Sequence, residues 1–496
     1  MTNEAFAAHL GIGIRTVASW HQRPDMSPKA AMQQILDTAL HRASTDEQRR
    51  FVQLTSPDAA DDGTLAEADR QVSTDPNIGT LLEWLDRHAA WTPGTARRNV
   101  VERLAVTDIG ELNDRRQRRV QVKQMQVADA LSAYYGTYPG YGTYQGNYGP
   151  EPFKTTIVIR PDWLDLKTRL TIESDRLQLT SGAADRSLEL DEFAADHAVN
   201  RLVEAVALET RIYDLPLYRL LDIDVGSGAL GGTVSMARFV EYALTLDLLE
   251  DEIVDTIAAA PSTTPGDLPL RNRYLPDLAS VIDVSSRLCA GGALALFAVA
   301  RAASAHHPRD YLILVHERSS HVVNSARRLS LAQGFHQPMI DYRAETRIAQ
   351  TLMRELEEEM FGREEVDNTI SQHRRADPMH PTRLTPPLRW LTKDPDRMRI
   401  EATGFGLDLV NGNYEFANLI VVEDERFWNR FGGYVVANWE AGSLRRYSSQ
   451  DHELIAHLIS DPAWTNEGLF TLLQGLRRLA QLAPERVNLP DIEWTL

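Results

Sequence analysis

One cysteine, Cys289, stands in 496 residues, so no internal disulfide framework holds this chain and a reducing compartment is expected. No apolar run reaches the roughly 18 residues that cross a bilayer, and the N-terminus lacks a signal-peptide core. A cytoplasmic location with no membrane partner follows as the expectation. The longest apolar stretch, residues 289–300, is broken by Gly291 and Gly292 and reads as a buried strand. Basic charge is also short. Lys and Arg total 52 against 70 Asp and Glu, a formal net charge of −18, which excludes a protein that coats nucleic acid over its whole surface. A small local DNA reader is still compatible with that balance. Several catalytic motifs are missing too. Among the 14 histidines no pair sits four apart beside a glutamate, no G-x-S-x-G elbow occurs, and the glycine cluster at 226–232 lacks the Lys-Ser/Thr of a P-loop. No internal repeat is visible.

What the chain does have is an acidic run, Arg354-Glu355-Leu356-Glu357-Glu358-Glu359. Residues three and four apart share a helical face, so Glu355, Glu358 and Glu359 are able to converge. Ile348, Leu352 and Leu356 recur every fourth residue and give the same helix an apolar side. Arg354 lies one turn before Glu358, in reach of an i,i+4 ion pair. Three converging carboxylates repel unless a cation sits between them, and oxygen-only ligands suit magnesium. The plain alternative is a solvated acidic face.

The surroundings add a pattern. Gly334-Phe335-His336-Gln337-Pro338, then Glu345, then Arg354-Glu355-Leu356 with Glu358-Glu359 resembles the Nudix signature, which runs from a loop into a helix. That resemblance implies an α/β/α sandwich over roughly residues 274–496. It implies magnesium ligation by Glu355, Glu358 and Glu359, with Arg354 as their structural partner in the catalytic set. It also implies a nucleoside diphosphate derivative as ligand or substrate. Glu415 and Glu440 are candidate distal carboxylates, with Glu453 behind them. The chain departs from the pattern in spacing: Glu345 stands one residue too far from Arg354, and Phe361 takes the place of the helix-ending glycine, with Gly362 one residue late. These departures favour a non-catalytic sensor over an active magnesium-dependent hydrolase, which is the alternative.

Residues 3–22 resemble a helix-turn-helix motif. Ala7 supplies the small residue where two helices touch, Gly11 falls four residues later at the turn, and Val17 follows six after that. Phe6, Leu10, Ile12 and Trp20 fill the other inward positions. The outward positions of the second helix are Gly13, Ile14, Arg15, Ala18, Ser19 and Gln22, with Arg15 in the place to meet a guanine and Arg23 and Lys29 near phosphates. The bland reading is a helical hairpin in a larger bundle. A further helix at 29–43 is expected to complete the core. Both ends together resemble actinobacterial helix-turn-helix regulators with a C-terminal Nudix-like domain. That resemblance implies double-stranded DNA and a nucleotide-derived small molecule as partners. A homodimer would set two reading helices about 34 Å apart.

The expected organisation is multidomain: an all-α helix-turn-helix N-terminus, a mixed α/β middle domain and a C-terminal α/β/α Nudix-like sandwich. The boundaries are a DNA-binding domain at 1–55, an acidic linker at 56–77, a helical segment with a basic cluster (Arg115 to Arg119) at 78–133, and a Tyr/Gly linker at 134–152. A mixed α/β domain at 153–260, a linker at 261–270 and the Nudix-like domain at 271–496 complete it. The arginine run either extends a DNA footprint through phosphates or is a solvated helix face.

Overall fold

The computed structural model describes residues 6–7, 10–13, 16–17, 20, 30–41, 62–180, 188–226, 228–259, 268–305, 307–318, 328–363, 379–435 and 441–495. It separates into two compact units, Met1–Ala68 and Asp69–Leu496. The fold is mixed α/β, with a helical N-terminal region and a large mixed sheet. No helix among the described residues is long and apolar enough to cross a membrane.

In the first unit Ala7, Leu10 and Val17 are buried, while Phe6, Ile12 and Trp20 are half-buried. Ile12 N donates to Ala7 O at 3.0 Å and Gly11 takes φ +64°, a left-handed turn that suits glycine. Thr16 N donates to Gly13 O at 2.9 Å as the chain becomes helical again. The helix Ala30–His41 follows, its Met32, Ile35, Leu36 and Leu40 half-buried. Gly13 is exposed; Ile14, Arg15, Ser19, Gln22 and Arg23 lie outside the described residues.

The second unit is built on one mixed sheet. Its strands are β1 (Gly142–Tyr148), β2 (Glu151–Ile159), β3 (Thr168–Arg169), β7 (Gly291–Arg301), β8 (Asp310–Arg318), β9 (Leu329–Ser330), β10 (Ala332–Phe335), β11 (Met398–Asp408), β12 (Tyr414–Val422), β13 (Ala441–Ser448) and β14 (Ile492–Thr495). The main path runs β13-β8-β7-β12-β11-β2-β1-β14, with β10 on β7, β3 on β11 and β9 on β8. β7 and β12 pair in parallel, and β7 alternates strictly between two cores. Ala293, Ala295, Phe297 and Val299 enter the first, whereas Leu296, Ala298 and Ala300 enter the second. A strand covered on both faces reads as a continuous apolar run, which is why the glycine-interrupted stretch at 289–300 forms a central strand. Helix Ile348–Glu355 closes the first core with Ile348 and Leu352. Helix Asn466–Leu482 closes the second with Leu469, Phe470, Leu473 and Leu476.

A smaller sheet holds β4 (Asp175–Leu179), β5 (Pro216–Gly226) and β6 (Ala229–Arg238) in the order β4-β6-β5. The glycine cluster at 226–232 straddles the β5–β6 hairpin, whose register reaches Gly226 opposite Ala229.

Three expectations about organisation are corrected. The acidic segment at 56–77 contains the helix Asp62–Thr74: Ala68 and Val72 are buried and Leu65 half-buried, a stripe at helical spacing hidden among charges. The Tyr/Gly stretch at 134–152 carries β1, a strand inside the sheet, where Tyr144 is fully buried with its ring 4.9 Å from Phe470. The segment at 153–260 does not stand apart either, since β2 pairs with β11 at Val158–Leu407 and Ile157–Asp408. The run T-T-I-V-I is buried on both faces and belongs to the same sheet as the C-terminal half.

The arginine run is also resolved. It lies on helix Ile109–Gln121, where Arg119 reaches Asp255 at 2.6 Å, Asp251 at 2.8 Å and Glu204 at 3.1 Å, and Arg115 reaches Glu204 at 3.0 Å. Arg118 pairs with Glu111 at 2.7 Å. Arg115 and Arg119 therefore meet carboxylates of their own chain, while Arg118 lies exposed beside Glu111 on a helix that buries no residue.

Candidate functional site

The candidate site is the passage from β10 into helix Ile348–Glu355. Gly334 sits where a Cβ would lie 1.9 Å from Glu355 Oε1, so a side chain there would displace the Glu355 carboxylate. Arg354 is buried and turns back along this passage. Its guanidinium donates to the carbonyls of Phe335 and Gln337, each at 3.1 Å, and to Glu355 Oε1 at 2.9 Å. Arg354 thus bonds its neighbour Glu355 and the connection's backbone, and the Glu358 charge one turn on also favours its ionised form. A charged donor inside a core needs several acceptors, and the strand end supplies two of them.

Inside the connection Glu345 accepts from the backbone amides of Met339, Ile340 and Asp341, the latter two at 3.1 and 3.0 Å. His336 is fully buried between Tyr414, whose hydroxyl lies 2.8 Å from Nδ1, and the Thr346 carbonyl, 2.8 Å from Nε2. A carbonyl only accepts, so Nε2 carries the proton and Nδ1 accepts from Tyr414. Burial pushes the imidazole down to about 3, and it stays neutral. It is a satisfied core histidine that ties β12 to the connection.

The acidic helix distributes its glutamates. After Glu355 the helix widens into a π-turn, Leu356–Met360, which shifts the angular spacing of the residues on it. Glu357, fully buried, accepts from Thr385 N at 2.9 Å and Thr385 Oγ1 at 2.8 Å, at the start of helix Pro386–Thr392. Glu359 accepts from Gln333 N at 2.9 Å, with His316 Nδ1 3.8 Å away. Glu358 is half-buried. Among the described residues no group of three or more His, Cys, Asp or Glu side chains is gathered for a metal ion.

Glu415 occupies the other face. Its neighbours Tyr414 and Phe416 enter the first core and Ala417 the second, so alternation puts Glu415 on the side of helix Asn466–Leu482. Burial holds its carboxyl well above the ordinary range, reinforced by Glu467 and Asp408. Asp408 is pushed up to about 7 by burial and Glu467, opposed by hydrogen bonds from Thr156 Oγ1 at 2.5 Å and Val410 N at 3.1 Å. Glu415 lies on the face of the sheet opposite helix Ile348–Glu355. Glu440 lies outside the described residues, and Glu453 is an exposed residue in the first turn of His452–Ile459.

Sequence reasoning gave no role to His336 or Glu357 within the runs that contain them, and passed over Asp408 and Asp175. Their partners lie elsewhere in the chain, Thr385 being 28 residues from Glu357 and Ala349 174 residues from Asp175. No family model matches the chain, and a search of curated proteins finds no match.

Proposed function

We propose that this chain is a DNA-binding transcriptional regulator whose Nudix-like part senses a nucleotide-diphosphate-type ligand. The observation that carries the reading is the interlock of Gly334, Arg354 and Glu355. The motif residues closest to the strand are used to fix the connection between strand and helix, which supports retention of a binding scaffold. The passage of Ala7, Leu10, Gly11 and Val17 through a left-handed turn supports the DNA-reading half, with Arg15, Ser19 and Gln22 as the base-facing residues. A homodimer would present two such readers to one face of the duplex.

The test is thermal stability of the full chain with ADP-ribose, nucleotide sugars and dinucleoside polyphosphates, each with and without magnesium, while the same samples are assayed for hydrolysis. The expected outcome is a shift in melting temperature with at least one of these and no product. Steady product formation abolished by Glu358→Gln would replace the sensor by a hydrolase. No shift and no product across the panel would remove the nucleotide reading altogether.

A further inference from the structure

The three-stranded sheet is fastened to the β10–helix connection from both of its edges. From β4, Leu177 O accepts from Thr346 Oγ1 at 2.7 Å, and Asp175 Oδ2 accepts from Ala349 N at 2.9 Å. From β5, Tyr218 N donates to His336 O at 3.0 Å, and the Tyr218 hydroxyl donates to Tyr342 O at 2.8 Å. Ala349 N lies in the first turn of its helix, where amides have no intrahelical acceptor. Asp175 therefore supplies from another element the cap that the helix's own N-cap residue, Arg347, does not.

Asp175 is also the uneasy member of this set. It is 2% exposed, and its Oδ1 has no hydrogen-bond partner. A charged carboxylate with one oxygen dry and unpaired is costly, whereas a proton on that oxygen removes the charge and leaves Oδ2 accepting. We propose that the small sheet is a proton-responsive latch on the connection, tightened when Asp175 carries a proton and loosened when it is charged.

The groups around Asp175 support this sense. Arg347, at the helix start, is the charged side chain that acts on it and favours its ionised form. β6 brings Leu230 and Gly231 opposite Asp175 and Arg176, neither of them titratable. The turn Ala344–Thr346 brings Thr346, while Glu345 is taken up by the amides of residues 339–341. Burial outweighs Ala349 N, Ile348 N and Arg347, and pushes the Asp175 carboxyl up to about 6. Released into water it would return to about 4, so the latched form binds the proton more tightly than the released form. By linkage, latching is favoured in acid and weakens as pH rises through about 6. His336 on the same connection, held near 3, stays neutral across that range. The latch rests on the geometry of the connection and not on the ligand reading, so either can fail alone.

Hydrogen exchange of the full chain tests it directly. Protection of the Ile348 and Ala349 amides, corrected for intrinsic exchange, should fall about tenfold between roughly pH 5 and pH 8. In Asp175→Asn, which mimics the protonated carboxyl, protection should be high and independent of pH. Thr346→Val, which removes one fastening and leaves Asp175 in place, should lower protection throughout while keeping the slope. Protection that does not change with pH in the unmodified chain would overturn the proposal, as would an Asp175→Asn variant that keeps the same slope. If Asp175→Asn does not fold, the slopes of the unmodified chain and Thr346→Val decide the question by themselves.

Discussion

Glu355 and Glu415 lie on opposite faces of one sheet, and they meet burial in different ways. Around Glu355 the charged groups are paired: Arg354 bridges it to the Phe335 and Gln337 carbonyls, Glu345 takes three backbone amides, and Glu357 takes Thr385. Around Glu415 burial brings carboxylates together, with Asp408 and Glu467 beside it, and pushes the proton affinities of Glu415 and Asp408 up. One face keeps its charges by pairing them; the other sheds charge by holding protons. The lesson is that carboxylate count says little about a site until each oxygen's partner is known.

The comparison breaks most easily at Arg354. Arg354→Met should strand Glu355 and the Phe335 and Gln337 carbonyls, and cost about 3–5 kcal/mol of unfolding free energy in urea. A loss below about 1 kcal/mol would mean that the pairing on this face is not what holds it.

The opposite face is sharpened by pH. The folded carboxyl of Asp408 sits at about 7, above its ordinary 3.8, so the folded chain binds the extra proton. The stability it contributes is fully present below about pH 4 and is lost as pH climbs through 7. Asp408→Asn should remove roughly 2–4 kcal/mol of that pH dependence, read as the difference between the two stability profiles from acid to mildly alkaline buffer. Parallel profiles would show that Asp408 has water or a cation beside it and belongs with the paired face after all.

The smallest expected effect is at Thr385. Thr385→Val deletes the hydroxyl that donates to Glu357 and leaves the backbone donor, so about 1 kcal/mol should be lost, measured by the same unfolding assay.

Much of this was legible where the pattern is local. The period of Ile348, Leu352 and Leu356 placed the helix, and the apolar run at 289–300 placed a buried strand. Gly334 and Arg354 stood out by motif alone, although the motif did not say that the arginine turns back to the strand. Misreadings came where composition masks a sparse stripe. Leu65, Ala68 and Val72 were lost among acids, and Tyr144 among glycines, though each packs as any apolar residue would. The remainder was illegible for a different reason. The pairing of Asp175 with Ala349, or of β2 with β11, joins residues far apart in sequence, and no local period records such contacts.

The most direct measurement of the central claim is binding of the full chain to an operator selected from a genomic DNA library, followed by fluorescence anisotropy with and without the nucleotide that shifts its melting temperature. A sensor should change DNA affinity by about 5–150-fold on binding that nucleotide. DNA affinity that is absent at low salt, or unchanged by every nucleotide that stabilises the chain, would contradict the account.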